Sequence, residues 1–395
     1  MIDSRLVVMH VVFNFNVGGL ENGIVNLINH MDEAHFRHIV VALTSCEPGF
    51  CRRVTRDDVE FISLLKPPGH GIKLYPRLYR LFSDLRPAIV HTRNLAALEA
   101  VVPARAAGVP VRIHGEHGWD LSDPGGVRLK YKLVRRVYRP FVSHYVALSG
   151  QIERYLRRSV GVPEARIARI CNGVDVQRFT PVVGMRGMLE DSPFNVTGLI
   201  VIGTVGRLQP VKDQSNLVRA FALLMQRAPN EARRLRLMIV GDGPMRPQIE
   251  AEIAHFGLGD RVWLAGERKD IPDVIRAMDV FVLPSRAEGI SNTILEAMAC
   301  GVPVVATEVG GNAELVDHGC TGGLAPPNNS EALAAILERY VKDADLRAKH
   351  GLAARERIEA NFSIEHMVNS YQDLYMQQLR LAGVESRAGL VARGA

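Results

Sequence analysis

A chain of 395 residues, 47% hydrophobic and 23% charged, exceeds one ordinary core and has a globular composition, which excludes disordered and fibrous classes. No apolar run reaches the roughly 18 residues of a spanning helix, and the start MIDSRLVVMHVVF lacks a basic segment and a small-residue cleavage site, so the cytoplasm is the expected compartment. Net charge is +6, but residues 1–190 hold 26 Lys and Arg against 17 Asp and Glu, which points to an anionic partner for the first half.

Strand and helix patterns alternate along the chain. LVVMHVVF reads as a buried strand, followed by a glycine-rich turn and the helical LENGIVNLINHM. HIVVALT, AIVHT, VRIHG, YVALS and ARICNG continue the series. Such continuous runs of Val and Ile suit a parallel sheet covered on both faces. A second series begins near residue 199 with LIVIGTVG, LRLMIVGDG, RVWLAGE, DVFVLPS and VPVVAT. Two doubly wound α/β domains in tandem are therefore expected. Pro, Gly, Ser and Asn cluster over residues 180–198, which reads as the linker. EHMVNSYQDLYMQQLRLAG reads as a terminal amphipathic helix. The cysteines, Cys46, Cys51, Cys171, Cys300 and Cys320, are odd in number and lack a C-x-x-C, so small buried thiols are expected rather than disulfides or a zinc site.

In open α/β sheets ligands gather past the carboxyl ends of strands, and the chemistry-bearing residues fall at such points. VGGLENG carries Gly18 and Gly19 after the first strand, where backbone can approach a ligand or simply turn. VRIHGEHGWD holds His114, Glu116 and His117. Its spacing is wrong for a helix-borne zinc pair, which leaves one histidine bonded to a polar substrate, or a structural one. GVRLKYKLVRRVYRPF, residues 126–141, places six cations between 128 and 139 and no acid. Leu129, Leu133, Val134 and Val137 form an apolar stripe at helical spacing. That fits a helix on an anionic membrane as well as a helix packed on the sheet with a solvated basic face. Nucleic acid is disfavoured, because aromatics at 6% offer few stacking platforms.

In IGTVGRLQPVKDQ a strand ends at Gly206, and Arg207 and Lys212 follow. Two cations there suit a diphosphate, the alternative being ordinary surface charge. IVGDGP puts Gly241 at the next strand end, where a tight turn is explanation enough. SRAEGISNTILEAMACG sets Glu288 and Glu296 eight apart between two buried strands. Ser291 is the expected N-cap, so Glu296 shares a helix face with Asn292 and Cys300. Carboxylates there can accept from sugar or ribose hydroxyls. The amides of Gly289, Ile290, Ser291 and Asn292 suit an anion. A solvated polar stripe is the plain alternative.

Taken in order from about residue 7 to 375, these motifs resemble the retaining glycosyltransferases of family 4. That family has the GT-B fold: two tandem Rossmann-like doubly wound α/β domains facing across a cleft. EGISNTILE, residues 288–296, is similar to the family's E-x7-E element, and GRLQPVKD to its phosphate-binding segment. CNGVDVQRFTP is similar to the segment entering the linker, and VGGLENG to the N-terminal glycine loop. VGGLENGIVNLINHM also resembles transferases of exosortase (PEP-CTERM) exopolysaccharide systems. The resemblance implies that Glu288 contacts the donor sugar and that Glu296 holds the ribose hydroxyls. Arg207 and Lys212 would neutralise the diphosphate, beside the backbone of Gly206, Gly241 and residues 289–292. His117, further past its strand than His114, would sit by the transferred sugar, with Gly18 and Gly19 on the phosphate and acceptor side.

The expected domains are an acceptor domain over 1–185, a nucleotide-sugar domain over 196–363, and a terminal helix over 364–383 that crosses back to the first. The expected reaction is glycosyl transfer with retention, by front-face attack and without a metal or cofactor. The donor would be a UDP-sugar, ahead of a GDP-sugar. The acceptor would be a glycan or a polyprenyl-diphosphate-linked one, and residues 127–139 would meet an anionic membrane. The rival readings are a non-catalytic nucleotide-sugar binder or membrane scaffold, and a sugar-nucleotide isomerase on the same fold.

Overall fold

The structure is a computed structural model that describes residues 5–67, 69, 71–118, 123, 125–182 and 186–384. The chain divides into two compact units, Met1–Asn172 with Ile364–Ala395, and Gly173–Ser363.

The first unit is built on seven parallel strands, β1 Leu6–Val12, β2 Phe36–Ala42, β3 Glu60–Ser63, β4 Ile89–Arg93, β5 Val111–Glu116, β6 His144–Ala147 and β7 Ile167–Arg169, in the order β3-β2-β1-β4-β5-β6-β7. Successive side chains point to opposite faces, and each face has its own core. Val8, Ile89 and Ile113 pack against Leu27 of helix Gly19–His30, Met31 just past its end, and Val368, Leu374 and Tyr375 of the terminal helix Ile364–Leu381. Met9, Ile39 and Val90 pack on the other side against Leu78 and Phe82. The second unit has six parallel strands, β8 Ile200–Val205, β9 Leu235–Val240, β10 Val262–Gly266, β11 Val280–Leu283, β12 Val304–Thr307 and β13 Gly322–Ala325, ordered β10-β9-β8-β11-β12-β13. In both sheets the strand order reverses beside the first strand, between β1 and β4 and between β8 and β11, and a crevice opens at such a point in this class of sheet.

Several details differ from the sequence reading. Strands β3 and β13 escaped it: EFIS is short and edge-lying, and GGLA begins with two glycines that strand propensity disfavours. The units part at Asn172/Gly173, not within 180–198. Residues after 173 are tied to the second unit: Val174 N donates to Phe362 O, Gly187 N donates to Arg276 O, and Arg186 pairs with Asp279 at 3.0 Å. Turn-forming composition marked an irregular segment, but an irregular segment can still be packed. Of the cysteines only Cys300 is buried, and Cys320 is exposed. Helix Leu129–Tyr138 keeps its apolar stripe outside: Leu129, Leu133, Val134 and Val137 are all exposed. The reading in which this helix packs on the sheet and leaves a solvated basic face is therefore set aside.

Candidate active site

In the second unit, the loops after β8 and β11 converge. Arg207 lies just beyond β8, exposed, and makes no ion pair among the described residues. Lys212 Nζ donates to Glu288 Oε1 at 2.6 Å, and Ser285 Oγ donates to the same oxygen at 2.6 Å. Behind them Arg286 bonds Asp213 through two nitrogens, at 2.9 and 3.0 Å, and Arg286 N donates to Val211 O. Asp213 is buried with φ of 49°. A charged residue in the left-handed region is uncommon, and the bidentate pair fixes it there. Asp213, Ser285 and Arg286 were given no role by the sequence reading. The only cue was their adjacency to Lys212 and Glu288, because partners 73 residues apart leave no local pattern.

Glycines set how closely these loops approach. Gly241 has φ of 128°, and a methyl group on it would run into Gly206 O. Gly310, φ 56°, is similarly pressed on Glu288 O, and Gly311 N donates to Gly289 O at 2.7 Å. Gly310 and Gly311 are thus the floor of the Glu288 loop, a part the sequence reading missed. Thr307 Oγ1 supports it from below, donating to Ser285 O at 2.6 Å.

Helix Asn292–Ala299 starts from this loop, with Ser291 Oγ accepting from Ile294 N as cap. Ile294, Leu295 and Met298 are buried. The amides of Gly289, Ile290 and Ser291 donate to no acceptor among the described residues, so they are available to an anion. Glu296 lies one turn further, and its carboxyl makes no hydrogen bond among the described residues. Burial pushes it up to about 7, opposed by the charge of Arg178. One D-x-D does occur in the chain, at Asp343-Ala344-Asp345, but Asp343 is spent capping helix Ala344–Asn361 through Leu346 N. Among the described residues, no group of three or more His, Cys, Asp or Glu side chains is arranged to hold a metal ion.

The first unit holds Gly18, Gly19 and His117. Gly18 precedes helix Gly19–His30 with extended backbone, and Glu21 folds back over it. His117 follows β5, where its N donates to Asn94 Oδ1 at 2.8 Å. Neither ring nitrogen has a partner among the described residues. Burial, then the charges of Arg93 and His114, push His117 down to about 3, so the ring is neutral. His114 is structural: it bonds Thr92 Oγ1 at 2.8 Å and Glu116 Oε1 at 3.2 Å.

Around these residues the sheet is more polar than its Val-rich strands suggested. Arg93 Nη1 donates to His10 Nδ1 at 2.9 Å, and His10 Nε2 meets His38 Nδ1 at 3.0 Å. Since Arg93 can only donate, Nε2 of neutral His10 carries the proton and donates onward. Tyr375 OH bonds His91 Nδ1 at 2.7 Å. Burial disfavours a charged Glu116, but Arg135 and His114 outweigh it and hold that carboxyl well below its usual range. A cavity of about 420 Å³ at these strand ends is lined by Val12, Leu20, Glu21, Arg93, Glu116 and Arg135 among others. Arg93 is 3% exposed and makes no ion pair among the described residues.

Comparison with known proteins agrees with this geometry. The family described as Glycosyltransferase Family 4 matches residues 17–178, and that described as Glycosyl transferases group 1 matches residues 200–343. The chain is 29% identical over 324 residues to the UDP-Gal:alpha-D-GlcNAc-diphosphoundecaprenol alpha-1,3-galactosyltransferase of Escherichia coli, covering 80% of this chain and 81% of that one. It is 31% identical over 302 residues to the D-inositol 3-phosphate glycosyltransferase of Nocardiopsis dassonvillei, covering 71% and 68%. Among solved structures, Anabaena HepE in complex with UDP superposes with a TM-score of 0.76 at 22% identity, over 94% of this chain and all of that one. Paired parallel sheets of this kind are the GT-B fold, and with these matches the chain belongs to glycosyltransferase family 4.

Proposed function

We propose that this glycosyltransferase moves a sugar from a UDP-sugar, with retention and without a metal, to a lipid-linked glycan acceptor in cell-surface polysaccharide synthesis. Support for the donor comes from one constellation: Arg207, Lys212, Glu288 and the open amides of residues 289–291 at the end of β11, with half-buried Glu296 one turn beyond. The amides and cations take the diphosphate; Glu288 and Glu296 accept from sugar and ribose hydroxyls. As the anomeric C–O bond breaks, negative charge grows on the leaving phosphate. Cations already in place stabilise that charge more than the ground state, which is the requirement for catalysis. No D-x-D stands at these strand ends, and the two cations supply the electrostatics a metal would otherwise give. The acceptor attacks from the face that the phosphate leaves, and the phosphate takes its proton. Neutral His117 is suited to orient a sugar hydroxyl.

A diphosphate-linked acceptor agrees with the cavity by Arg93, a buried cation without a carboxylate partner among the described residues, and with the name of the Escherichia coli relative. Such a substrate places the enzyme in the cytoplasm, at the inner face of its membrane.

The test is thermal unfolding of the purified protein with UDP, GDP, ADP and NAD, in the wild type and in Glu296→Ala. A ligand that binds only the native state raises the midpoint. A rise with UDP, lost in the variant, is the expected result. A rise with NAD alone would overturn the reading, and a rise with GDP alone would overturn the choice of base. Nucleotide binding without transfer to any lipid-linked acceptor would favour the non-catalytic binder.

A further inference from the structure

We infer that helix Leu129–Tyr138 is the membrane-contact surface of this protein, lying flat on an anionic bilayer with Leu129, Leu133 and Val137 in the headgroup layer. The inference rests on the lipid-linked reading above and names the surface that serves it.

A surface helix ordinarily turns its apolar stripe to the core and its charges to water. This one is inverted. Leu129 is 75% exposed, Leu133 58% and Val137 58%, and Val127 and Val134 are exposed beside them. The inward face is polar instead. Arg135 is buried and grips Glu116 through two nitrogens, at 2.5 and 3.0 Å. Tyr138 OH meets Tyr75 OH at 3.4 Å, and the flanks are pinned where Arg136 Nε donates to Ser159 O and Arg139 Nη1 to Gly161 O. The helix is thus held by directional bonds that leave five apolar side chains together in water, a grouping that marks an interaction surface rather than scattered exposure.

Charge selects the partner. Arg128, Lys130 and Arg136 are exposed around the apolar side chains, and Arg158 lies on the adjoining Leu156–Val160 turn. From residue 124 to 152 the chain holds no acid. An apolar ridge with exposed cations beside it suits a sheet of anionic headgroups over acyl chains, because each cation near such a surface adds attraction and the ridge adds burial. Among the described residues no helix is long and apolar enough to cross a membrane, so contact here is of the in-plane kind. The arrangement also joins surface to chemistry. The outer face of the helix meets lipid, and its inner face carries Arg135, which lines the cavity by Arg93 and Glu116. The width of one helix, about 10 Å, separates the two.

Vesicle co-sedimentation of the full-length protein tests this. Vesicles of phosphatidylglycerol mixed with phosphatidylcholine are compared with phosphatidylcholine alone, at low and high salt. Binding to the anionic vesicles alone, weakened by salt, is expected. The triple change Leu129→Ser, Leu133→Ser, Val137→Ser alters only exposed side chains and should lower vesicle binding at least tenfold while the UDP-induced rise in unfolding midpoint is kept. The pair Arg128→Glu, Lys130→Glu should weaken binding most at low salt. Absence of wild-type binding, or a triple variant that binds equally well, overturns the inference. So does a triple variant that changes only the oligomeric state in sedimentation velocity, which would make the ridge a contact between copies. Loss of the UDP response with vesicle binding intact would instead count against the transferase donor reading and leave the docking surface standing.

Discussion

Lys212 Nζ and Glu288 Oε1 lie 2.6 Å apart, so the cation assigned to phosphate and the carboxylate assigned to sugar hold each other across two loops. The pair is unequal in burial: the Glu288 side chain is 8% exposed and that of Lys212 is 28%. A donor whose sugar and diphosphate reach this point can engage both groups at once. Lys212→Ala should lower kcat by about 10²–10³, the usual cost of losing a positioned transition-state donor. It should also destabilise by about 1–3 kcal/mol, because among the described residues Glu288 then keeps only Ser285 as side-chain partner. Steady-state kinetics with a thermal melt checks both. Unchanged turnover would remove Lys212 from the mechanism.

The glycine contacts make a sharper structural test. Gly241 combines positive φ with a backbone collision course, since a Cβ would meet Gly206 O. Backbone yields less readily than the tip of a side chain. Gly241→Ala should therefore cost about 2 kcal/mol or more and weaken UDP binding by displacing the segment that leads to Arg207. Gly206→Ala is the control, because a Cβ there meets nothing within 4 Å. Equal melting points for the two variants would contradict this account.

What the sequence disclosed follows from range. Strands such as IVIGTV and VFVL declare themselves by continuous apolar runs, and the Ser291 cap and helix Asn292–Ala299 are local chemistry. The doubly wound order follows from alternation of strand and helix. Illegible were the bonds between distant segments: Asp213 with Arg286, Arg135 with Glu116, Tyr375 with His91. Each pairs residues that mean nothing side by side in the chain. The Leu129–Tyr138 helix shows the same limit differently. Its amphipathic period was plain, but period cannot say which face turns inward, and here the buried Arg135 decides it.

The imidazoles buried in the first unit predict how stability varies with pH. Burial, with Arg93 adding to it for His10, His91 and His117 and Arg56 for His38, holds all four well below the ordinary histidine range. Folded, they stay neutral; unfolded, they take up protons below their ordinary value near 6.5. Below that point the unfolded chain binds more protons, so stability falls with falling pH by about 1.4 kcal/mol per unit for each such group. A steep loss of denaturation midpoint between pH 7 and 5 is expected. His38→Gln should make it shallower. A flat profile over that interval would mean that these rings are charged in the fold. The same neutrality applies to catalysis: His117 should contribute no inflection to kcat between pH 5 and 8, and His117→Asn should lower kcat without changing the profile's shape.

Glu296 behaves in the opposite sense. Its carboxyl is raised to about 7 by burial, with Arg178 too weak to offset it. The folded chain therefore holds a proton that the unfolded chain has lost, and stability declines as pH rises from the ordinary carboxylate range near 4.3 to about 7, then levels. Ribose hydroxyls donate, and an ionised carboxylate accepts from both, whereas the protonated acid spends one oxygen as a donor. UDP should thus favour the ionised form, and binding should release a proton at pH 6. The dissociation constant for UDP should fall as pH rises from 5.5 to 7.5 and flatten above. Isothermal titration calorimetry in two buffers of different ionisation enthalpy reads the proton directly. Glu296→Gln cannot ionise, so it should bind UDP weakly and with no pH dependence over that interval. If the wild type shows no proton release at pH 6 and the same affinity at 5.5 and 7.5, Glu296 does not meet the ribose as an ion, and its place in the donor site falls with that result.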